Sequence, residues 1–363
     1  MNTTLIWLLA LPIAFGLLLW LLTRKCQDGW IGCGVYAVIG VLVVCMSFFI
    51  STGAKTKDTE IWSGKIVAKE RDHGHYLRSY QCNCRTVSSR NSNGTTSSHQ
   101  ECDTCYEDRY TVKWTATSTV GTFTIDSLDR TTRRVYDEPD PQRYTIVKAG
   151  DPASKTSSYT NYIQAVPNSL FTPAAADLKK KFVGLIPAYP DTVYDLYKID
   201  RFLSPGWNVP DAAAWNADIS NALRDLGGRK QVNLIVVVAK TDDVNYEYAL
   251  RDAWEGANKN DVVLIVGSTQ YPKIDFVRVL SWTKNETFKI QLRDAVMDKG
   301  TIDRSIIALC AAQIEQNFQR RQMKEFAYLD GEIDPPEWLL IVLCVVLVAG
   351  AAGVYICLLR VKK

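Results

Sequence analysis

Histidine is scarce in this chain of 363 residues, with three copies at His73, His75 and His99. The stretch from 173 to 333 has none, and Cys310 is its only cysteine. Ser-His-Asp and Cys-His catalysis within that stretch alone are therefore excluded. Charge is absent from three long runs at 5–22, 30–53 and 338–359. A transporter, channel or proton relay built into these runs would need ionisable groups inside them. The start, Met1-Asn2-Thr3-Thr4, has no basic residue, whereas a signal peptide wants a positive n-region. A phosphate-binding glycine loop is also missing. Leu226-Gly227-Gly228-Arg229-Lys230 precedes a strand pattern instead of opening a helix, so it reads as a helix C-terminus. Asn93-Gly94-Thr95 is a glycosylation sequon only in a eukaryotic secretory setting. The net charge of +3 is small, and no nucleic-acid partner is expected.

What is there begins with the three apolar runs. Each is long enough to cross a bilayer, which takes roughly 20 apolar residues with a lower limit near ~17. Pro12 in the first is tolerable in a membrane helix. Lys/Arg placement sets orientation. Arg24 and Lys25 lie between the first two runs, and Arg360, Lys362 and Lys363 follow the third. Both segments are expected in the cytoplasm of a cytoplasmic-membrane protein. The N-terminus is then outside, the C-terminus inside, and 54–337 extracytoplasmic. Lys55 and Lys57 run against this pattern, while Asp330, Glu332, Asp334 and Glu337 run with it. Trp30, Trp338 and Tyr355 read as interfacial anchors. Ala349, Gly350, Ala352 and Gly353 offer a small-residue face.

The polar middle divides in two. Segments 61–70, 109–118, 121–126 and 143–148 are rich in β-branched and aromatic residues, and several alternate as strands do. A polar connector is expected at 151–162. Beyond it the period changes. Helices are expected at 211–226, 244–256, 286–297 (capped by Asn285) and 303–326. Strands are expected at 232–239 and 261–267, both continuously apolar as in strands buried on two faces. A third strand at 274–282 should pair antiparallel through a hairpin at Tyr271-Pro272. The expected fold is an α+β multidomain membrane protein. Its parts are a transmembrane hairpin (1–54), a small all-β domain (55–150), a connector (151–172), an α/β layered domain (173–333) and a C-terminal helix with a basic tail (334–363).

Two constellations could carry chemistry. Cys82-Asn83-Cys84 and Cys102-Asp103-Thr104-Cys105 flank a Ser/Asn/Gly-rich stretch that reads as a flexible loop. Four thiolates in two close pairs suit tetrahedral zinc. Two disulfides across a hairpin suit them as well, and nested pairing of Cys82 with Cys105 and Cys84 with Cys102 is nearly in register. An oxidising compartment favours disulfides. The three histidines are nearby; one could replace a thiolate, but exposed loop positions are the plainer reading. The second constellation is acidic. Asp242 and Asp243 directly follow a strand end, where open α/β sheets bind ligands, so a divalent cation is conceivable there. Asp261 opens its strand and should lie at the opposite edge. Arg320, Arg321 and Lys324 read as a solvated basic helix end.

The segment NLIVVVAKTDDVNYEYALRDAWEGANKNDVVLIVG resembles the TPM domain, at positions Tyr248, Ala249, Trp254, Gly256, Asn260 and Asp261. The resemblance covers about 207–329. It implies an extracytoplasmic α/β module on a C-terminal membrane helix, linked in that family to membrane-protein maintenance and assembly. A phosphatase activity has been proposed for some plant relatives. The closing FQRRQMKEFAYL, then PPEW and a span, resembles membrane-tethered bacterial and phage-encoded members. Many members carry Asp-Asn-Gly before the second strand and a Gly-rich, Glu-containing turn after the third. Lys259-Asn260-Asp261 and Ser281-Trp282-Thr283-Lys284 stand here instead, so no acidic site is carried over. The expected function is a binding or scaffolding head without catalysis, with the bilayer and other membrane or envelope proteins as partners. A metal-dependent phosphatase-like hydrolase and a phage lysis or superinfection-exclusion factor are the alternatives.

Overall fold

A computed structural model describes residues 3–23, 29–90, 96–131, 133–166, 176–194 and 199–361. Arg24, Lys25, Asp28, the Asn93-Gly94-Thr95 sequon, Lys362 and Lys363 lie outside the described residues.

Helices α1 (Thr3–Thr23) and α2 (Gly29–Lys55) form from the first two apolar runs. At ~1.5 Å per residue, the shorter spans about 30 Å, the thickness of a bilayer core. The two pack closely: a Cβ on Gly40 would sit 2.6 Å from Pro12 Cβ, so glycine is required there. One residue after α2, strand β1 (Lys57–Arg90) begins.

β1 pairs antiparallel with β2 (Thr96–Ser118), which pairs with β3 (Gly121–Arg130). Trp114, Val112, Ile66 and Ile125 form the core of this domain. After a 3-10 turn (Arg133–Asp137), the expected strand at 143–148 is instead the short helix α3 (Gln142–Ile146). The Tyr144 and Thr145 amides bond back to the Pro141 carbonyl, which closes a helical turn before any sheet edge is reached. The expected connector is strand β4 (Pro152–Thr160), which pairs with β1 from Lys57↔Thr160 to Lys65↔Pro152 and gives the order β3-β2-β1-β4. Its hydroxyls hid it from a hydropathy reading. Ser154, 2% exposed, contacts the Ser63 hydroxyl across the ladder. Asn161 then caps α4 (Tyr162–Ala165) by accepting from the Ile163 and Gln164 amides. Helix α5 is Ala176–Lys181.

The second sheet has the order β5-β6-β7-β8. β5 (Phe202–Leu203), β6 (Asn233–Ala239) and β7 (Asp261–Gly267) are parallel; β8 (Phe276–Ser281) is antiparallel to β7. Between β5 and β6 runs α6 (Ala212–Lys230), and between β6 and β7 runs α7 (Tyr246–Ala253). After β8 come α8 (Thr287–Lys299) and α9 (Ser305–Asn317). Both central strands are buried throughout, because alternate residues serve two cores. Leu234, Val236 and Val238 face the core shared with α6, α8 and α9, while Ile235, Val237 and Ala239 face the one shared with α7. The hairpin at Tyr271-Pro272 is present, with a cis peptide.

Several helix ends differ from expectation. α7 is shorter than 244–256, and Asn285 does not cap α8, whose N-cap residue is Glu286 with no side-chain bond. α6 does not stop at Gly227-Gly228 but continues to Lys230. The helix expected over 303–326 breaks at Phe318, where the chain turns extended and Gln319 accepts bonds from the Lys284 amide and the Thr283 hydroxyl. It resumes as a 3-10 helix (Met323–Glu332) packed on α4. The third apolar run is α10 (Glu337–Val361). α1, α2 and α10 are each long and apolar enough to cross a membrane. The Tyr36 hydroxyl of α2 donates to the Leu347 carbonyl of α10, and Lys55 Nζ donates to the Asp334 carbonyl.

Candidate functional site

The β1–β4 end of the first sheet docks on the α/β layer at the starting edge of β6 and β7, and the junction is polar. Arg201, fully buried beside β5, bonds in three directions. Nε donates to Asn233 Oδ1 (2.7 Å), and Nη2 donates to Ser63 Oγ (2.8 Å) and Ser154 Oγ (3.1 Å). Burial pulls its guanidinium pKa down to about 10. Asn233 in turn donates to Asp261 Oδ1 (2.9 Å). Asp261 Oδ2 accepts from the Tyr189 hydroxyl (2.7 Å) and the Asn258 amide (2.8 Å). Burial still pushes the Asp261 carboxyl up to about 6, against the lowering effect of those donors. Asn260 Nδ2 donates to the Ile61 carbonyl of β1 (2.8 Å). Beside it Glu60, 2% exposed, accepts from Arg320 Nη2 at 2.6 and 2.7 Å and lies 3.6 Å from Lys259 Nζ. Arg320 is thus a partly buried clamp on a buried carboxylate between domains, and the expected solvated basic end does not describe it. A lone Arg in a C-terminal motif carries no signal of a carboxylate 260 residues earlier.

Next to this junction, just past the end of α2, lies a cleft of about 220 Å³. Asp58, Asn161, Gln164, Tyr189, Glu255 and Asn258 line it. Asp58 Oδ2 accepts from the Tyr159 hydroxyl and Asn161 Nδ2, both at 2.7 Å. Gln164 Nε2 donates to Glu255 Oε2 (2.7 Å). Burial and the Asp58 carboxylate hold the Tyr159 phenol well above its ordinary range. Glu255, Gly256 and Ala257 all take left-handed backbone conformations (φ 49°, 86° and 59°), which turn the chain out of α7 along the cleft wall. Three carboxylates, Asp58, Asp191 and Glu255, line this cleft, and such groups accept hydrogen bonds from donors. Sequence reading missed Asp58, Glu60, Tyr159, Tyr189 and Arg201. Asp58 and Glu60 start β1, Tyr159 ends β4, Tyr189 is in a loop and Arg201 precedes β5, and only the fold brings them together.

The resemblance positions divide. Asn260 and Asp261 belong to the junction. Trp254 is buried and donates to the Pro187 carbonyl (2.9 Å), and Gly256 accepts from Trp282 Nε1 (3.0 Å). Tyr248 is exposed, with Arg251 over its ring. Asp242 and Asp243 follow the far end of β6, and Asn233 pairs with Asp261 at the near end, so the two acidic positions are on opposite edges. Asp243 is engaged by Lys181 Nζ and by Asn245, and the ammonium holds its carboxyl below the usual range. Among the described residues, no three His, Cys, Asp or Glu side chains gather as metal ligands.

The cysteines lie elsewhere. Cys82 is joined to Cys105 and Cys84 to Cys102, the nested disulfide pairing. A bulge between Cys82 and Arg85, with Asn83 at φ 48°, brings both pairs into reach. His75 contacts Asp108 (3.0 Å) and His99 contacts Glu101 (3.4 Å). The expected flexible loop is mostly ladder, from Arg85↔Glu101 to Arg90↔Thr96. Serines sustain it because backbone bonds, not side chains, make the ladder, and Ser89 and Ser97 touch across it (3.2 Å). β3 stops pairing at Tyr110↔Arg130. Beyond that point β1 and β2 form a bare two-stranded arm of about 15 residues per strand, or ~50 Å.

No family model matches this chain, and neither a curated protein nor a solved structure proves similar to it.

The arm is the least buried part of the head. Tyr76, Leu77, Tyr80 and Tyr106 are all exposed on it, while the cores beneath are closed. A bare hairpin is marginal in water. Two disulfides within it supply the constraint that a core would otherwise provide. The geometry offers two surfaces, a polar cleft low on the head and a stapled arm reaching away from it.

Proposed function

We propose that this is a cytoplasmic-membrane protein that presents an extracytoplasmic head for binding and scaffolding, with no catalytic step of its own. The arm carries the reading: a long, aromatic-bearing hairpin held by two disulfides, free of both cores, has reach but no interior to support. Disulfides fit an oxidising space outside the cytoplasm. The Lys/Arg bias supports the same side, with the N-terminus out, the C-terminus in and 54–337 outside. The resemblance of 207–329 to the TPM domain supports partners among membrane or envelope proteins, in a maintenance or assembly role. Exposed tyrosines are the residues that anchor protein interfaces.

The test is photo-crosslinking in native membranes from a crosslinking amino acid at Tyr106. Discrete adducts that vanish when the arm is shortened are expected. Adducts from a cleft position such as Asn161 but none from Tyr106 would move the binding surface off the arm. No adduct from either would sink the scaffolding reading.

A further inference from the structure

α2 and α10 do not close on each other along their full length. Between them lies an apolar cavity of about 640 Å³, walled by Tyr36, Ile39, Val346, Leu347, Gly350 and Gly353. That is many times the ~30 Å³ share of one water molecule. Glycine makes the space: a Cβ on Gly353 would meet no atom within 4 Å, and one on Gly350 would touch only the Tyr36 ring at 3.4 Å. The Tyr36 hydroxyl on the wall is already bonded to the Leu347 carbonyl (2.8 Å), and the Cys357 thiol, also on the wall, is only a weak donor, so little there calls for water. Ile39 and Val346 are half exposed, which opens the slot sideways to its surroundings.

We infer that this slot holds the acyl chains of one anionic phospholipid. Three observations point to that occupant. The slot runs from Gly32 to Val43 along α2, about 16 Å at ~1.5 Å per residue. That is half of a ~30 Å hydrocarbon core, the depth of a single leaflet. It ends at Gly32 and Leu358, where a Cβ on Gly32 would already touch the Leu358 side chain at 3.4 Å. Arg360 stands exposed at that end, in the last turn of α10, and the sequence continues with Lys362 and Lys363. Basic residues beside an inter-helix groove suit a phosphate headgroup. A second copy of the chain fits worse, because a two-fold pairing through this groove would set the same basic ends against each other.

The test uses the full chain in mild detergent, with native mass spectrometry after exchange into phosphatidylglycerol, phosphatidylethanolamine or phosphatidylcholine. The wild type should retain phosphatidylglycerol at least fivefold more than phosphatidylcholine. Gly353→Leu, which fills the slot, should cut that retention fivefold or more. Val348→Leu, on a lipid-facing position outside the slot, should leave it unchanged. Arg360→Gln should erase the preference for phosphatidylglycerol while chains are still retained. If Gly353→Leu does not fold, Gly353→Ala and Arg360→Gln carry the test. Equal retention by slot-filled and control variants overturns the inference, as does equal retention of all three lipids. A wild-type dimer that Gly353→Leu splits would give the slot to a second copy and overturn it too.

Discussion

Asp261 is an acid in a place without water. It opens β7, is 1% exposed, and accepts three hydrogen bonds, yet burial pushes its pKa up to about 6 from the ordinary 3.8. The sign of the linkage follows. The folded state favours the protonated form, so this group's contribution is fully present below about pH 4 and is lost as pH rises through about 6. Its whole size is at most about 3 kcal/mol. Asp225, Asp243, Asp303 and Glu315 are depressed by basic neighbours and act with the opposite sign, but only at lower pH. Between pH 7 and 5 the Asp261 effect stands clear of them. Thermal unfolding of the detergent-solubilised protein should show a higher Tm at pH 5 than at pH 7. Asp261→Asn should flatten that slope, and an unchanged slope would mean the junction is wetter than its burial says. The sequence marks Asp261 by its place in the KNDVVLIVG segment, but not Arg201, Tyr189 or Glu60, which join it through the fold. Their polar character is ordinary; only the meeting of two domains makes them a cluster.

At the scale of elements, the docking of β1 on α6 depends on one absent side chain. A Cβ on Gly227 would fall 2.4 Å from the Ser63 carbonyl oxygen, a backbone atom that cannot swing aside. Its neighbour Gly228 is exposed and would meet nothing within 4 Å. Both lie within α6, where Ala is worth roughly 0.8–1 kcal/mol over Gly. Gly228→Ala should therefore stabilise by about 0.5–1 kcal/mol. Gly227→Ala should destabilise by about 1–3 kcal/mol, since overpacking against backbone outweighs the propensity gain. Denaturant midpoints measured side by side check the pair, and equal shifts would mean the two domains separate at no cost. The same contact explains what sequence could read of this region. β6 and β7 were legible because continuous apolar runs of seven have no other stable home than a sheet covered on both faces. The pair of glycines looked like a helix end because the usual use of Gly after a helix is local. Its use here is tertiary. β4 was illegible for a related reason: PASKTSSYT places small hydroxyl residues where another domain arrives, and hydropathy reads them as solvent-facing. The segment 143–148 has strand-like residues, but its backbone is spent on Pro141 before any sheet edge is available.

At the scale of the whole molecule, the charge is distributed along the chain axis. The apolar runs are uncharged, Arg24, Lys25, Arg360, Lys362 and Lys363 flank one side with Lys55 and Lys57 on the other, and residues 52–337 carry one net negative charge. The head is tied closely to its anchors. A single residue separates α2 from β1, and Lys55 reaches across to the Asp334 carbonyl beside α10. Three spans place the head and the basic tail on opposite sides of the membrane, whichever side that is. The disulfides and the Lys/Arg bias are independent arguments for the side: one is a matter of redox chemistry, the other of insertion. They can disagree, which makes the orientation testable. A membrane-impermeant maleimide applied to intact cells should label the protein only after reductant has opened Cys82–Cys105 and Cys84–Cys102. The variant with all four changed to Ser should stay unlabelled, because Cys310 is buried, Cys33, Cys45, Cys344 and Cys357 lie in the three long apolar helices, and Cys26 follows Arg24-Lys25 in the loop expected on the cytoplasmic side. Labelling without reductant would mean that free thiols face outward. Labelling that appears only after lysis would put the head in the cytoplasm. The Lys55 and Lys57 pair would then count as part of the inside flank, and the arm would need a reducing-compartment explanation for its paired cysteines.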